Sequence, residues 1–295
     1  MHRHFVNSLE DVKFIIEDLK ESGNKFYFRG QDCLNYKLQT RIADKFNNSI
    51  TVTEKSKEIL DTFKAEVLKA EILSEIYLET ESAKSLPHVT DWYWLLQAQH
   101  LGVYTPFMDW TSELNSALYF TCCSNKEYTG QLWIFDYSTL GEEISHEPEK
   151  SYNGQPPIFY KSPFENTFMG FIYPAYYVNT IEQVGETNRK AQKGLFFIQP
   201  FTDCYEALEE KESFYNNLHL IEIPPSVKKE YWEICTTKNE VSAFYKDLKE
   251  VFLENNKYYS IYEKSIYPKS SRKMKEIATK IKNQFGLNNI KRCEN

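Results

Sequence analysis

Glycine and proline are scarce in this 295-residue chain, with 10 and 11 copies, which argues against a low-complexity linker or a collagen-like tract. The six cysteines, at positions 33, 122, 123, 204, 235 and 293, form no CxxC pair. That excludes a zinc-ribbon spacing or a disulfide scaffold and predicts reduced thiols acting as small core residues in the cytoplasm. No stretch approaches the ~18 uncharged apolar residues of a membrane span, so no membrane association is expected. Met1-His2-Arg3-His4 leads into a charged segment without an apolar core, and no secretion signal is read there. GxGxxG, Walker, GxSxG and HExxH signatures are missing, as is any Cys/His metal spacing, so no metal site is predicted. No internal repeat is present.

The chain is rich in aromatic residues, at 16%, beside 41% hydrophobic and 26% charged residues, as suits a globular protein able to bury a core. The net charge of −7 is unevenly spread: the segment from Lys264 to Arg292 carries +8 and the remainder −15. Such a basic segment, 264–295, either docks on its own acidic body or contacts nucleic acid. Its few interleaved aromatics favour docking.

Periodicity predicts a helix over Leu9 to Leu19, opened by Ser8 with Asp11, then an aromatic strand from Phe26 to Arg29. A long helix capped by Thr53 runs to about Glu79. A second, apolar nearly all round and therefore central, runs from Thr90 or Asp91 to His100. An irregular stretch, Val103 to Met108, delivers Asp109 and Trp110, and Thr111 or Ser112 opens the next helix. Leu132 to Phe135, Leu195 to Gln199 and Leu218 to Ile223 read as strands. The stretch from Gly141 to Asn188 reads mainly as loops, and helices resume over Glu240 to Glu254 and Ser271 to Phe285. The expected architecture is α+β: one mixed domain, 1–295, with a central, largely antiparallel sheet flanked by helices.

The chemistry-bearing residues fall in three apolar settings: Arg29-Gly30-Gln31; Gln97, Gln99 and His100 through Asp109-Trp110-Thr111; and Arg189 with Gln192 before Gly194-Leu195-Phe196. Arg29 ends a strand expected to be buried, and a buried guanidinium needs a carboxylate, carbonyls or an anionic ligand. Arg29 and Arg189 suit phosphate gripping. His100 suits a base or donor role, Asp109 a ribose contact or an arginine partner, and Trp110 or Tyr119 base stacking. The plainer alternative is architectural. Arg29, Asp109 and Arg189 would then form a buried salt-bridge network, with His100 and Gln192 satisfying backbone groups and Trp110 filling the core.

These same residues resemble the FRG domain, a bacterial and phage-associated family named for its aromatic-Arg-Gly motif. The motif and its following glutamine are matched by Phe28-Arg29-Gly30-Gln31. A Gln-His-x-Gly segment running to Asp-Trp-Thr is matched by Gln99 to Thr111, and a late Arg-x-x-Gln-x-Gly-x-Phe element by Arg189 to Phe196. The similarity spans about residues 20–280. It departs at Pro106, where an arginine is usual, and at Leu101. The family membership leaves the activity open; the inventory of arginines, histidine, aspartate and aromatics suits a nucleotide or NAD-like ligand. Its arrangement is similar to that of ADP-ribosyltransferases, with His100, Asp109 and Arg29 in catalytic roles and Gln31, Gln99, Trp110, Thr111, Tyr119, Arg189 and Gln192 binding the ligand. NAD would then be the cofactor, in a toxin or anti-phage effector acting on a protein or nucleic-acid target. The alternatives are a non-catalytic nucleotide- or protein-sensing module in phage defence and a nucleic-acid-processing toxin. Glu182, Glu186 and Glu222 are candidates for the acid such transfer chemistry expects.

Overall fold

The structure, a computed structural model, describes residues 1–21, 24–46, 48–70, 87–138, 162–165, 169–172, 194–201, 205–236, 243–251, 253 and 269–288. The strands are β1 (His2–Phe5), β2 (Phe26–Gln31), β3 (Phe107–Thr111), β4 (Gly130–Asp136), β5 (Gly170–Ile172), β6 (Gly194–Ile198) and β7 (Leu218–Ile223). They form one sheet in the order β1-β7-β4-β2-β3-β6-β5. Every neighbouring pair is antiparallel except β1 with β7. The helices are α1 (Leu9–Glu21), α2 (Arg41–Phe46), α3 (Ser49–Lys69), α4 (Pro87–His100), α5 (Leu114–Cys122), α6 (Pro225–Thr236) and α7 (Lys269–Gln284), with a further helical stretch over 243–251. The mixed, mostly antiparallel α+β domain expected from the pattern is the fold found.

Side chains alternate across the sheet. Phe26 and Phe28 join Leu132, Ile134, Ile221 and Ile223 beneath α1, α5 and α6. Tyr27, Trp133, Phe135, Met108 and Trp110 face the other way, where Phe171, Phe197 and Phe214 complete an aromatic core. A third core packs α2, α3, α4 and α7 against Phe107, Phe196 and Ile198. The basic segment docks as its composition favoured: α7 buries Met274, Ile277, Ala278 and Ile281, and Lys280 reaches Glu66 of α3 at 2.6 Å.

Several local expectations change. Ser8 and Asp11 do form a reciprocal cap, Asp11 N donating to Ser8 Oγ at 3.1 Å and Ser8 N to Asp11 Oδ2 at 3.0 Å. The long helix starts earlier than Thr53, because Asn48 Oδ1 takes the free amide of Thr51 at 2.9 Å. Proline is tolerated in a first turn, so Pro87 opens α4 and Pro225 sits at the start of the unanticipated α6. Residues 107–111 are a strand and not an irregular stretch, which places Asp109 on regular backbone. Cys122, Cys123 and Cys235 are free thiols, whereas the buried Cys33 is disulfide-bonded. The reading of all six as reduced core residues is therefore corrected at Cys33. No helix among the described residues is long and apolar enough to cross a membrane.

Candidate functional site

The aromatic-Arg-Gly run sits where the sheet is least closed. β2 pairs with β4 along its full length, Phe26↔Asp136 to Gln31↔Gln131. It meets β3 at one position only, Phe28↔Thr111. Past that bridge, Arg29 Nη1 donates to the main-chain carbonyl of Asp109. Gly30 answers a different need. A Cβ there would lie 1.9 Å from the Ala117 carbonyl oxygen and 2.8 Å from Thr121 N, so α5 rests directly on the strand and only glycine fits.

The Arg29 side chain is only partly exposed, and its Nε is shut off from solvent without a hydrogen-bond partner. Burial brings its ordinarily very high pKa down to about 10; Asp109 opposes that shift and Arg41 reinforces it. No carboxylate hydrogen-bonds to it among the described residues. The Asp109 carboxylate, on an exposed residue, instead accepts from Gln99 Nε2 at 2.8 Å. Gln99 Oε1 in turn accepts from the Thr105 hydroxyl. Gln99 is positioned by the end of α4, where Val103 N donates to Ala98 O and Gly102 N to Gln99 O, both at 2.9 Å, with Gly102 at φ 70°. That is a Schellman stop.

Beside Arg29 lies a cavity of about 700 Å³ whose walls include Gly30, Gln31, Tyr36, Arg41 and Tyr104. Arg41 lies over the Tyr104 ring, 6.0 Å from its centroid. Asp32 and Asn125 form another wall, joined by Asn125 Nδ2 donating to Asp32 Oδ2 at 2.8 Å. Beneath them the fully buried Lys228 of α6 donates through Nζ to the carbonyls of Asp32 at 2.7 Å and Asn125 at 3.1 Å. Burial lowers the Lys228 pKa.

Of the residues singled out in the sequence, Arg29 and Gln31 line this cavity, while Gln99 and Asp109 are tied to Arg29 by hydrogen bonds without lining it. Gln31 lines the cavity but is committed at both ends, its Oε1 accepting from Trp133 Nε1 at 3.0 Å and its Nε2 donating to Lys37 O at 3.3 Å. Thr111 Oγ1 accepts from Glu113 N at 2.9 Å, fixing the turn into α5. Trp110 is packed edge-on against Phe135 and Phe171 in the aromatic core, and Tyr119 is buried under the opposite face. His100 closes α4, its side chain outside the described part, and Arg189, Gln192, Glu182 and Glu186 lie outside the described residues altogether. Glu222 is on β7, two strands from β2, paired with Arg3 at 3.1 Å. Arg41, Tyr36 and Tyr104 went unrecognised in the sequence because they lie in short, aperiodic segments, where only a charge next to aromatics could have signalled them.

Fold and cleft together define an α+β protein with a cavity lined by Arg29 and Arg41 at the one-residue joint of its sheet. Residues 24–130, from the residue pair before β2 to the first residue of β4, match the FRG domain, and the chain carries an FRG domain there. No curated protein matches the chain, and no solved structure does.

Proposed function

We propose that the cleft beside Arg29 binds a nucleotide through its phosphate groups, with NAD among the ligands it takes. The observation that carries this reading is the partly buried Arg29 guanidinium. It has no hydrogen-bonded acid, an unpartnered Nε and a cavity of about 700 Å³ at its side. A structural arginine would be neutralised by the protein; this one has a carbonyl and a more distant carboxylate. Arg41 adds a second cation, and the Tyr36 and Tyr104 rings give the cavity walls that suit a base or a nicotinamide.

Asp109 is suited to a ribose hydroxyl, with Gln99 holding it in place. In ADP-ribosyl transfer the bond between ribose C1′ and nicotinamide breaks, nicotinamide leaves with the bonding pair, and C1′ bonds to the acceptor. A carboxylate beside the ribose would stabilise the cationic sugar in between. An anti-phage or toxin role would follow from such NAD consumption.

The test is thermal unfolding with AMP, ADP, ATP, NAD and inorganic phosphate, run alongside chromatographic detection of released nicotinamide. Nucleotides should raise the melting temperature of the wild type and leave Arg29→Met unmoved. If no nucleotide stabilises the wild type, the binding reading is wrong. Stabilisation by NAD without nicotinamide release identifies a sensor and eliminates the transferase.

A further inference from the structure

One wall of the cavity is built more firmly than a surface turn requires. Asp32 follows the end of β2, and Ser124 and Asn125 follow the end of α5; all three line the cavity. Gly30 brings the two segments together by letting α5 rest on the strand. From beneath, the ammonium group of the fully buried Lys228 donates to the carbonyls of all three: Asp32 at 2.7 Å, Asn125 at 3.1 Å and Ser124 at 3.5 Å. An ammonium group is taken out of water only where several acceptors surround it. Asn125 also holds φ 44°, alone among the described non-glycine residues. Such left-handed backbone is uncommon outside glycine, and residues held in it cluster at ligand-binding sites.

What this scaffold holds in place is a polar pair. Asn125 Nδ2 donates to Asp32 Oδ2 at 2.8 Å. Among the described residues Asp32 Oδ1 accepts no hydrogen bond, and no lysine or arginine forms an ion pair with the carboxylate. Asp32 is half-buried, so the wall keeps an acceptor to spare beside the Tyr36 and Phe120 rings, which line the same cavity. Asp32 lies three residues beyond Arg29, and extended backbone covers about 10 Å in that interval. A 5′-nucleotide reaches over a comparable length from its phosphate to the far edge of its base. A carboxylate repels phosphate, so Arg29 and Asp32 suit opposite ends of such a ligand.

Building on the nucleotide reading, we infer that Asp32 determines which ring is taken: its carboxylate accepts from an NH2 group on a flat ring, an exocyclic amine or a carboxamide, while Arg29 holds the phosphate. NAD carries both kinds of group, one on adenine and one on nicotinamide. A ring without that donor leaves the carboxylate unmet and is rejected. Tyr36 and Phe120 supply the faces against which the ring lies.

Isothermal titration of the full chain in EDTA tests this with two matched pairs of mononucleotides. AMP is compared with purine riboside monophosphate, which lacks the amine, and nicotinamide mononucleotide with nicotinic acid mononucleotide, which lacks the carboxamide. The proteins are wild type, Asp32→Asn and Asp32→Ala, with the melting temperature of each free protein measured first. Wild type should prefer the NH2-bearing member of at least one pair by roughly tenfold or more, and the pair that shows the preference identifies the ring held. Both variants should reduce that preference below about threefold. Absence of a preference in both pairs would overturn the inference, as would a preference that survives in the variants or an equal loss of affinity for both members. If all four mononucleotides bind wild type no better than orthophosphate does, the nucleotide reading falls and this inference with it. If they bind without regard to the NH2 group, only the role of Asp32 falls.

Discussion

The Arg29 guanidinium donates to the main-chain carbonyl of Asp109 and not to the Asp109 carboxylate. The carboxylate, taken by Gln99 Nε2, is near enough to favour the charge on Arg29 and is not bonded to it. A strand carbonyl that would ordinarily bond to the next strand is met by a side chain, and the guanidinium keeps donors to spare. This separates two consequences of losing Arg29 that usually coincide.

Arg29→Met should abolish nucleotide-dependent stabilisation yet leave the free protein within about 1 kcal/mol of wild type, on the stable side, because a buried charge without a bonded acid is removed. Urea denaturation with and without ligand measures both. A large loss of stability would return Arg29 to an architectural role.

Gly30→Ala forces a methyl group to 1.9 Å from the Ala117 carbonyl. The clash is with backbone, so the helix must lift from the strand, at a cost of about 3 kcal/mol or more. Equilibrium unfolding of the variant, or its failure to accumulate as soluble protein, reports this.

Trp110→Phe should lower stability by about 1–3 kcal/mol through the space left in the aromatic core, while ligand affinity changes less than about twofold. A calorimetric titration showing a tenfold loss of affinity would restore Trp110 to a stacking role.

Lys228→Met keeps the volume and removes the donors that hold Asp32 and Asn125. Leaving buried carbonyls unmet should cost about 1–3 kcal/mol. The cavity wall should also loosen, seen as faster amide exchange near residues 32 and 125.

Acid sensitivity should come from the far edge of the sheet. His219 of β7 stacks on His2 and His4 of β1, at 4.8 and 5.7 Å between ring centroids. Burial first, then His2 and His4 with the N-terminus, push its pKa down to about 4, against an opposing pull from Asp136. Between pH 6.5 and 4 the unfolded chain binds a proton there that the folded chain refuses, so stability falls as the pH drops through that window. Denaturant midpoints at pH 7 and pH 5 should differ in the wild type and differ less in His219→Phe.

Elements with an apolar rhythm were legible in the sequence: the aromatic strand through Arg29, the strands at 132–135 and 218–223, and the amphipathic helix after Ser8. β1 escaped because an edge strand reading His-Arg-His has no alternation to show. β3 escaped because Pro106 and Thr105 look like a loop until strands from elsewhere in the chain flank them. Gly30 stood out, but its reason lies in the backbone of a helix some ninety residues onward. Trp110 was readable either as stacking surface or as core, and only the register of β3 places it in the core.

The seven strands are two smaller sheets, β1-β7-β4-β2 and β3-β6-β5, spliced through a single residue pair and one arginine side chain. Where main-chain bonds lapse, rings take over: Tyr27 and Phe135 on one side of the seam meet Trp110, Phe171 and Phe197 on the other, so side-chain packing and not the hydrogen-bond ladder makes the two pieces one sheet.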